Sequence, residues 1–220
     1  MPALDLLQPL LNGLWLTLCV FAGGTVVATV CAFLAGLGRR SRDPIVRAFS
    51  AVYVETFRGT SALVQLYWFY FALPVLLGIE MDAVVVGILV LGLNIGAYGA
   101  EVVRAAVEAV PRGQFAAATA LNMTQGQTMR YVIVPQALLI MLPPFGNLLI
   151  ELLKSTALVS MITVTDLTRS GLFLRDDTLR TVEVFSMLLV IYFGLSMLIT
   201  AAVRRVERRL KHGLGQGDRR

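Results

Sequence analysis

Repeated apolar runs of about 20 residues constrain this chain more than any other feature, because that is close to the length a helix needs to cross a bilayer. Spans are expected at about 14–37, 61–77, 83–103, 137–153 and 184–203. The chain has 220 residues, of which 57% are hydrophobic and 15% charged, and no soluble domain of that size could cover so much apolar surface. The expected fold class is an all-α integral membrane protein of about five transmembrane helices. Residues 1–220 are read as one transmembrane domain.

The charges between the spans give an orientation. Arg39, Arg40, Arg42, Arg47 and Arg58 separate the first two spans, and Arg104, Arg112 and Arg130 follow the third. Arg204, Arg205, Arg208, Arg209, Lys211, Arg219 and Arg220 fill a basic tail, 204–220. The other side carries Lys154, Arg169, Arg175 and Arg180, offset by Glu80, Asp82, Asp166, Asp176, Asp177 and Glu183. Positive charge collects on the cytoplasmic side. The N-terminus is therefore expected outside and the C-terminus in the cytoplasm. Residues 104–135 become a cytoplasmic loop and 154–182 an outer loop. The outer loop is apolar from Leu158 to Val164 and is expected to re-enter or to pack on the bundle.

Several function classes drop out. No basic block is interleaved with aromatics as a single-strand nucleic-acid binder needs. The first span has no basic leader and exceeds a signal-peptide core, so it is read as a retained helix. Cys19 and Cys31 lie about 18 Å apart on that helix and cannot bridge each other. With His212 the only histidine, neither a metal site nor Ser/His catalysis has support. No catalytic residue, metal or cofactor is expected on this chain.

Between the first two spans, Ile45, Ala48, Phe49, Val52 and Phe57 recur at helical spacing with a polar side. Two readings fit: an interfacial helix on the inner leaflet, or a cytoplasmic extension of the second span. No internal repeat is visible, which disfavours an inverted-repeat carrier made from one chain.

Polar residues inside spans are costly and need a reason. Asn94, Tyr98 and Glu101 fall at i, i+4 and i+7 on the third span, and Asn147, Glu151 and Lys154 repeat that spacing on the fourth. Gln65 adds an amide to the second. One reading is interhelical hydrogen bonding, with Glu151 and Lys154 paired. The other is a path lined by Gln65, Asn94, Tyr98, Asn147, Glu151 and Lys154, which offers acceptors and donors to a zwitterion. Pro143-Pro144 and Gly146 suggest a kink in the fourth span, for packing or for the path. Gly92 and Gly96 are a small-xxx-small pair that permits close helix approach.

The cytoplasmic loop carries an alanine-rich helical stretch from Ala116 to Leu121. Asn122 is expected to stop it, Thr124 to cap the next turn and Gly126 to break it again. Pro135 stands at the entry to the fourth span.

That loop resembles the cytoplasmic signature of bacterial ABC-importer permeases: Glu-Ala-Ala, three residues, Gly, nine residues, Ile-x-Leu-Pro. It falls here on Ala116-Ala117-Ala118, Asn122 and Val132-Ile133-Val134-Pro135. The polar amino-acid branch is the nearer likeness. Its motifs match Tyr98-Gly99-Ala100-Glu101, Val110-Pro111-Arg112-Gly113-Gln114, Val134-Pro135-Gln136-Ala137 and Lys154-Ser155-Thr156-Ala157-Leu158. The Asn12-Gly13-Leu14-Trp15-Leu16-Thr17-Leu18 start and the Glu55-Thr56-Phe57-Arg58-Gly59-Thr60 entry match as well.

The resemblance implies a type I importer permease in the bacterial inner membrane, with a coupling helix seated in a groove of a cytoplasmic ATP-binding subunit dimer. It implies that ATP and Mg are used by that partner, and that an extracytoplasmic solute-binding protein docks outside. The solute would be a polar amino acid or a related zwitterion, a compatible solute such as ectoine included. The coupling residues would be Gly113, Gln114, Ala116, Ala117, Ala118, Leu121, Asn122, Met123 and Pro135. Two departures stand out. Ala116 replaces the signature's Glu and Asn122 its Gly, which points to weaker coupling and favours pairing with a different permease over a homodimer. A gradient-driven carrier and a non-transport scaffold remain the competing classes.

Overall fold

The computed structural model describes residues 3–213, and side chains over 8–210; Arg219 and Arg220, and the side chains of Lys211 and His212, lie outside the described residues. The elements run α1 (Ala3–Gly38), α2 (Pro44–Gly59), α3 (Ala62–Tyr67), a π-helical turn (Trp68–Ala72) and α4 (Leu73–Leu77). Next come α5 (Ala83–Glu108), α6 (Arg112–Ala120), α7 (Gln125–Gln127), a second π turn (Thr128–Ile133) and α8 (Val134–Ser155). A 3₁₀ segment (Thr156–Ile162), α9 (Leu167–Thr178) and α10 (Thr181–Gly213) complete the described residues. Among the described residues, four helical stretches are long and apolar enough to cross a membrane, five if the bent α2–α4 unit counts as one span.

The pairing of α1 with α5 is the axis of the bundle. Lipid tails are as apolar as leucine, so such a pair is held by close packing rather than by the hydrophobic effect. Small residues allow that closeness. A Cβ on Gly92 would sit 2.6 Å from Val27 Cβ, and one on Gly96 2.8 Å from Cys31 Cβ. Around this pair Val20, Leu66, Val90, Leu91, Ile95 and Leu152 form a buried cluster. Val159, Ile162 and Val164 of the outer segment belong to the same cluster, so this stretch packs on the bundle, turned by Thr163 at φ 76°.

Both π turns stand two residues before a proline, Pro74 and Pro135. Proline lacks an N–H and its ring crowds the carbonyl four residues back. Widening the preceding turn relieves this: the Leu73 N–H donates to Trp68 O and the Val134 N–H to Met129 O, each five residues back. Pro143 and Pro144, in contrast, lie within a continuous α8. Gly126 does not break the chain as the sequence suggests, because it sits inside α7 and helical structure continues from Gln125 to Ile162. The expected start of the fourth span near 137 therefore marks no end of structure. α10 likewise runs past 203, so Arg204, Arg205, Arg208 and Arg209 continue the fifth helix.

α2 and the helix Ala62–Leu77 meet at 104°, which rules out α2 as a straight extension of the second span. α2 instead lies across α5. Tyr53 donates to Leu93 O at 2.6 Å, and Val54 packs on Ala100. Its outer face leaves Ile45, Phe49 and Val52 exposed.

Candidate translocation path and coupling surface

The bend between α2 and α3 comes from two extended residues, Thr60 (φ −125°, ψ 153°) and Ser61 (φ −69°, ψ 133°). Leaving the helix there strips Phe57 O of its usual intrahelical donor. Two side chains replace it: Gln65 Nε2 and Asn94 Nδ2 each donate to Phe57 O at 2.9 Å. Asn94 Nδ2 also donates to Gln65 Oε1 at 3.2 Å, and Gln65 Nε2 to Thr60 Oγ1 at 2.6 Å. Both amides are only 7% exposed. The structure thus brings Gln65 and Asn94 together as a clasp that holds the bend on the middle of α5.

Farther along the same α5 stripe, Tyr98 and Glu101 meet arginines. The Arg58 guanidinium lies 5.3 Å over the Tyr98 ring. Glu101 accepts from Arg39 through one oxygen and from Arg104 Nη2 at 2.8 Å through the other, with Arg58 Nη1 at 3.9 Å. Arg104 also pairs with Glu108 at 2.9 Å, and Arg40 reaches Glu108 at 3.3 Å. Ion pairs therefore tie together the adjoining ends of α1, α2 and α5. This cluster was only half legible: Glu101 stood on a predicted stripe, but nothing local showed that Arg39 and Arg58 would face it.

The α8 stripe is different. Asn147, Glu151 and Lys154 are all exposed. Among the described residues none of their side chains has a hydrogen-bond or ion-pair partner, and the considered Glu151–Lys154 pair does not form. No hydrogen bond joins this stripe to the Gln65–Asn94 clasp.

Beside the first turns of α1, Asp166 caps α9, accepting from the Thr168 N–H at 3.2 Å and the Arg169 N–H at 3.0 Å. Burial pushes its carboxyl above the ordinary value, opposed by those backbone donors. Gly13 lets α1 approach this corner: a Cβ there would sit 2.6 Å from Asp166 O.

The alanine-rich loop forms α6, one residue beyond Pro111. Phe115 turns inward onto a cluster with Val107, Ile133, Ala137 and Met141, and Ala118 is buried. Gln136 Nε2 donates to Gln114 Oε1 at 3.4 Å, linking α6 to the start of α8, beside Pro135. Gly113, Gln114, Ala116, Ala117 and Leu121 stay exposed, Leu121 by 76%; Met123 is half-buried. Ala118, grouped with them in the sequence, faces the chain's own core. The helix ends at Asn122 in the left-handed region (φ 54°), with the Asn122 N–H on Thr119 O and the Met123 N–H on Ala118 O. Glycine favours that conformation, and asparagine tolerates it best among the other residues. Thr124 and Gln127 then form a reciprocal capping box.

The chain is similar to a probable amino-acid ABC transporter permease, y4tF, of Sinorhizobium fredii, at 44% identity, over 92% of this chain and 87% of that one. It is 36% identical to the glutamine transport system permease GlnP of Escherichia coli, over 90% and 89%. Among solved structures, an amino acid ABC transporter matches with a TM-score of 0.86 at 33% identity, covering 94% of this chain and 96% of that one. A methionine ABC transporter in an inward-facing conformation matches at 0.77 and 22% identity, which shows the fold alone. The family model for binding-protein-dependent transport system inner membrane components matches residues 24–212, and this chain belongs to that family.

Proposed function

We propose that the chain is one of two permease subunits forming the path of an ATP-driven importer for a polar amino acid. The carrying observation is the unpartnered Asn147–Glu151–Lys154 stripe on α8. A membrane helix does not leave an amide, a carboxylate and an ammonium group facing lipid. A second permease chain covers this face, and the enclosed space takes the solute. The carboxylate accepts from an amino group, and the ammonium and amide donate to a carboxylate. Gln65 and Asn94 hold α3 beside that space, and Tyr98 with Arg58 bounds it. The amino-acid names of the relatives support this solute class; the compatible-solute, gradient-driven and scaffold readings have no support among them.

ATP and Mg are used by a separate cytoplasmic ATPase dimer, which docks on the exposed side of α6. Small side chains at Gly113, Ala116 and Ala117 allow close approach, and Leu121 offers an apolar contact. The inward Phe115 carries motion of α6 into the bundle. A binding protein delivers solute from outside, where the N-terminus lies; the C-terminus is cytoplasmic. The solute shifts the transport cycle only through its different affinity for the inward- and outward-open states. Ala116 fits pairing with a permease that carries the fuller signature. Asn122, already left-handed, meets the geometric demand on the missing Gly and leaves a homodimer equally workable.

The test is affinity purification from the native membrane, then ATP-driven uptake of labelled L-amino acids in proteoliposomes. Co-purification of an ATP-binding subunit, with uptake that requires ATP, supports the reading. Uptake that follows an ion gradient without ATP overturns it.

A further inference from the structure

α10 carries a third polar stripe, Thr200, Arg204 and Glu207, at the same i, i+4, i+7 spacing as the other two. The charge pattern had assigned Arg204 to a tail beyond the membrane. The fold instead sets this stretch against the middle of α8. A Cβ on Gly146 would come within 2.8 Å of Val203 Cγ1, so the two helices nearly touch there. Beside that contact a cavity of about 170 Å³ opens between Asn147 and Ile150 on one wall and Thr200, Arg204 and Glu207 on the other. At about 30 Å³ per water, that is the room of five or six waters, enough for one end of a small solute.

The wall chemistry is selective. The Arg204 guanidinium has no hydrogen-bond or ion-pair partner among the described residues, and neither has the Asn147 amide. A guanidinium fork with an adjacent amide donor suits a carboxylate. Glu207, about one helical turn from Arg204, adds a carboxylate to the same wall. Asn147 belongs both to this cavity and to the α8 stripe. The cavity lines the middle of α8, from Pro143 to Ile150, and so lies on the side of Glu151 and Lys154 that faces α6 along the helix.

We propose that the cavity between α8 and α10 is a second subsite on the cytoplasmic side of the path, which takes the α-carboxylate of the amino acid on Arg204 and Asn147. The inference rests on the amino-acid permease reading. Solute leaving Glu151 and Lys154 passes Asn147 and is held once more before release.

The test uses the assembled transporter, with its ATPase, in nucleotide-free proteoliposomes. Equilibrium binding is measured for labelled L-glutamine, L-arginine and L-histidine and for their α-carboxamides. Arg204→Gln weakens binding of the free amino acid by about tenfold or more, as loss of a charged hydrogen bond should. Arg204→Lys retains most of the affinity. The carboxamides are indifferent to either change, a coupling that a structural role would not produce. Thr200→Leu, which fills the cavity without touching the charge, weakens binding as well and serves if Arg204→Gln fails to assemble. Equal binding by wild type and Arg204→Gln, or the same loss for acid and carboxamide, overturns the subsite. If that happens while wild type still imports an amino acid with ATP, the transport reading stands. If wild type imports none of the three, that reading falls and takes the assigned ligand with it.

Discussion

α5 and α8 carry polar triplets at identical spacing, and the fold treats them in opposite ways. On α5, Asn94 closes a clasp with Gln65 and Phe57 O, Tyr98 lies under Arg58, and Glu101 sits among three arginines. On α8, Asn147, Glu151 and Lys154 remain exposed and unpartnered among the described residues. A satisfied stripe is adhesive within the chain. An unsatisfied one in a membrane helix is half of something, and substitutions in the two should fail in different ways.

The largest effect is expected on α8. Glu151→Ala should abolish ATP-driven uptake while the complex still elutes intact in size-exclusion chromatography; normal uptake would remove Glu151 from the path. On α5 the phenotype should reverse. Gln65→Leu takes from Asn94 its Gln65 Oε1 partner and from Phe57 O one of its two donors, with an expected loss of about 1–3 kcal/mol in thermal or denaturant unfolding. A variant as stable as wild type would show that the clasp does not hold the bend. Glu101→Gln removes the carboxylate that Arg39, Arg58 and Arg104 share, leaving Arg104 its pair with Glu108 and Arg39 its 3.6 Å approach to Glu55. Their partial exposure screens the loss to about 1 kcal/mol or less in the same assay, and a larger loss would mean that the charges act as a network.

The coupling surface gives a smaller contrast. Asn122→Gly should change stability by less than about 1 kcal/mol, since the residue is already left-handed. Ala116→Glu should raise, or leave unchanged, the coupling of ATP hydrolysis to uptake. A fall would show that the missing Glu is a requirement of this chain's partner.

The smallest effect concerns Asp166, a buried carboxyl satisfied by backbone rather than side chains. Its folded pKa is raised, so its contribution to stability is full below the ordinary carboxylate value and is lost as pH rises through the folded value. Asp166→Asn keeps a good cap without the titration. The stability of wild type relative to that variant should therefore decline as pH rises above the ordinary carboxylate value of about 4. A flat difference would mean that the carboxyl is not penalised by burial.

Why the α5 and α8 stripes diverge could not be read from their spacing. Helical period fixes which residues share a face, but not what that face meets. Gln65 and Asn94 are separated by a loop and most of a helix, and only the 104° bend brings them together. Arg204 shows the same limit, since a charge count assigns it to a tail while helix packing sets it beside Asn147. The two π turns were half visible in Pro74 and Pro135, whose missing N–H groups any helix must accommodate.

By itself the sequence determined the apolar runs, the helical class and the short surface helix ahead of Pro135, because hydropathy, proline chemistry and alanine's helix preference act over a few residues. The tertiary structure decided the bend at Thr60–Ser61, the arginines around Glu101 and the open face of α8. Those depend on which donors meet which acceptors across helices far apart in the chain, a choice made by packing.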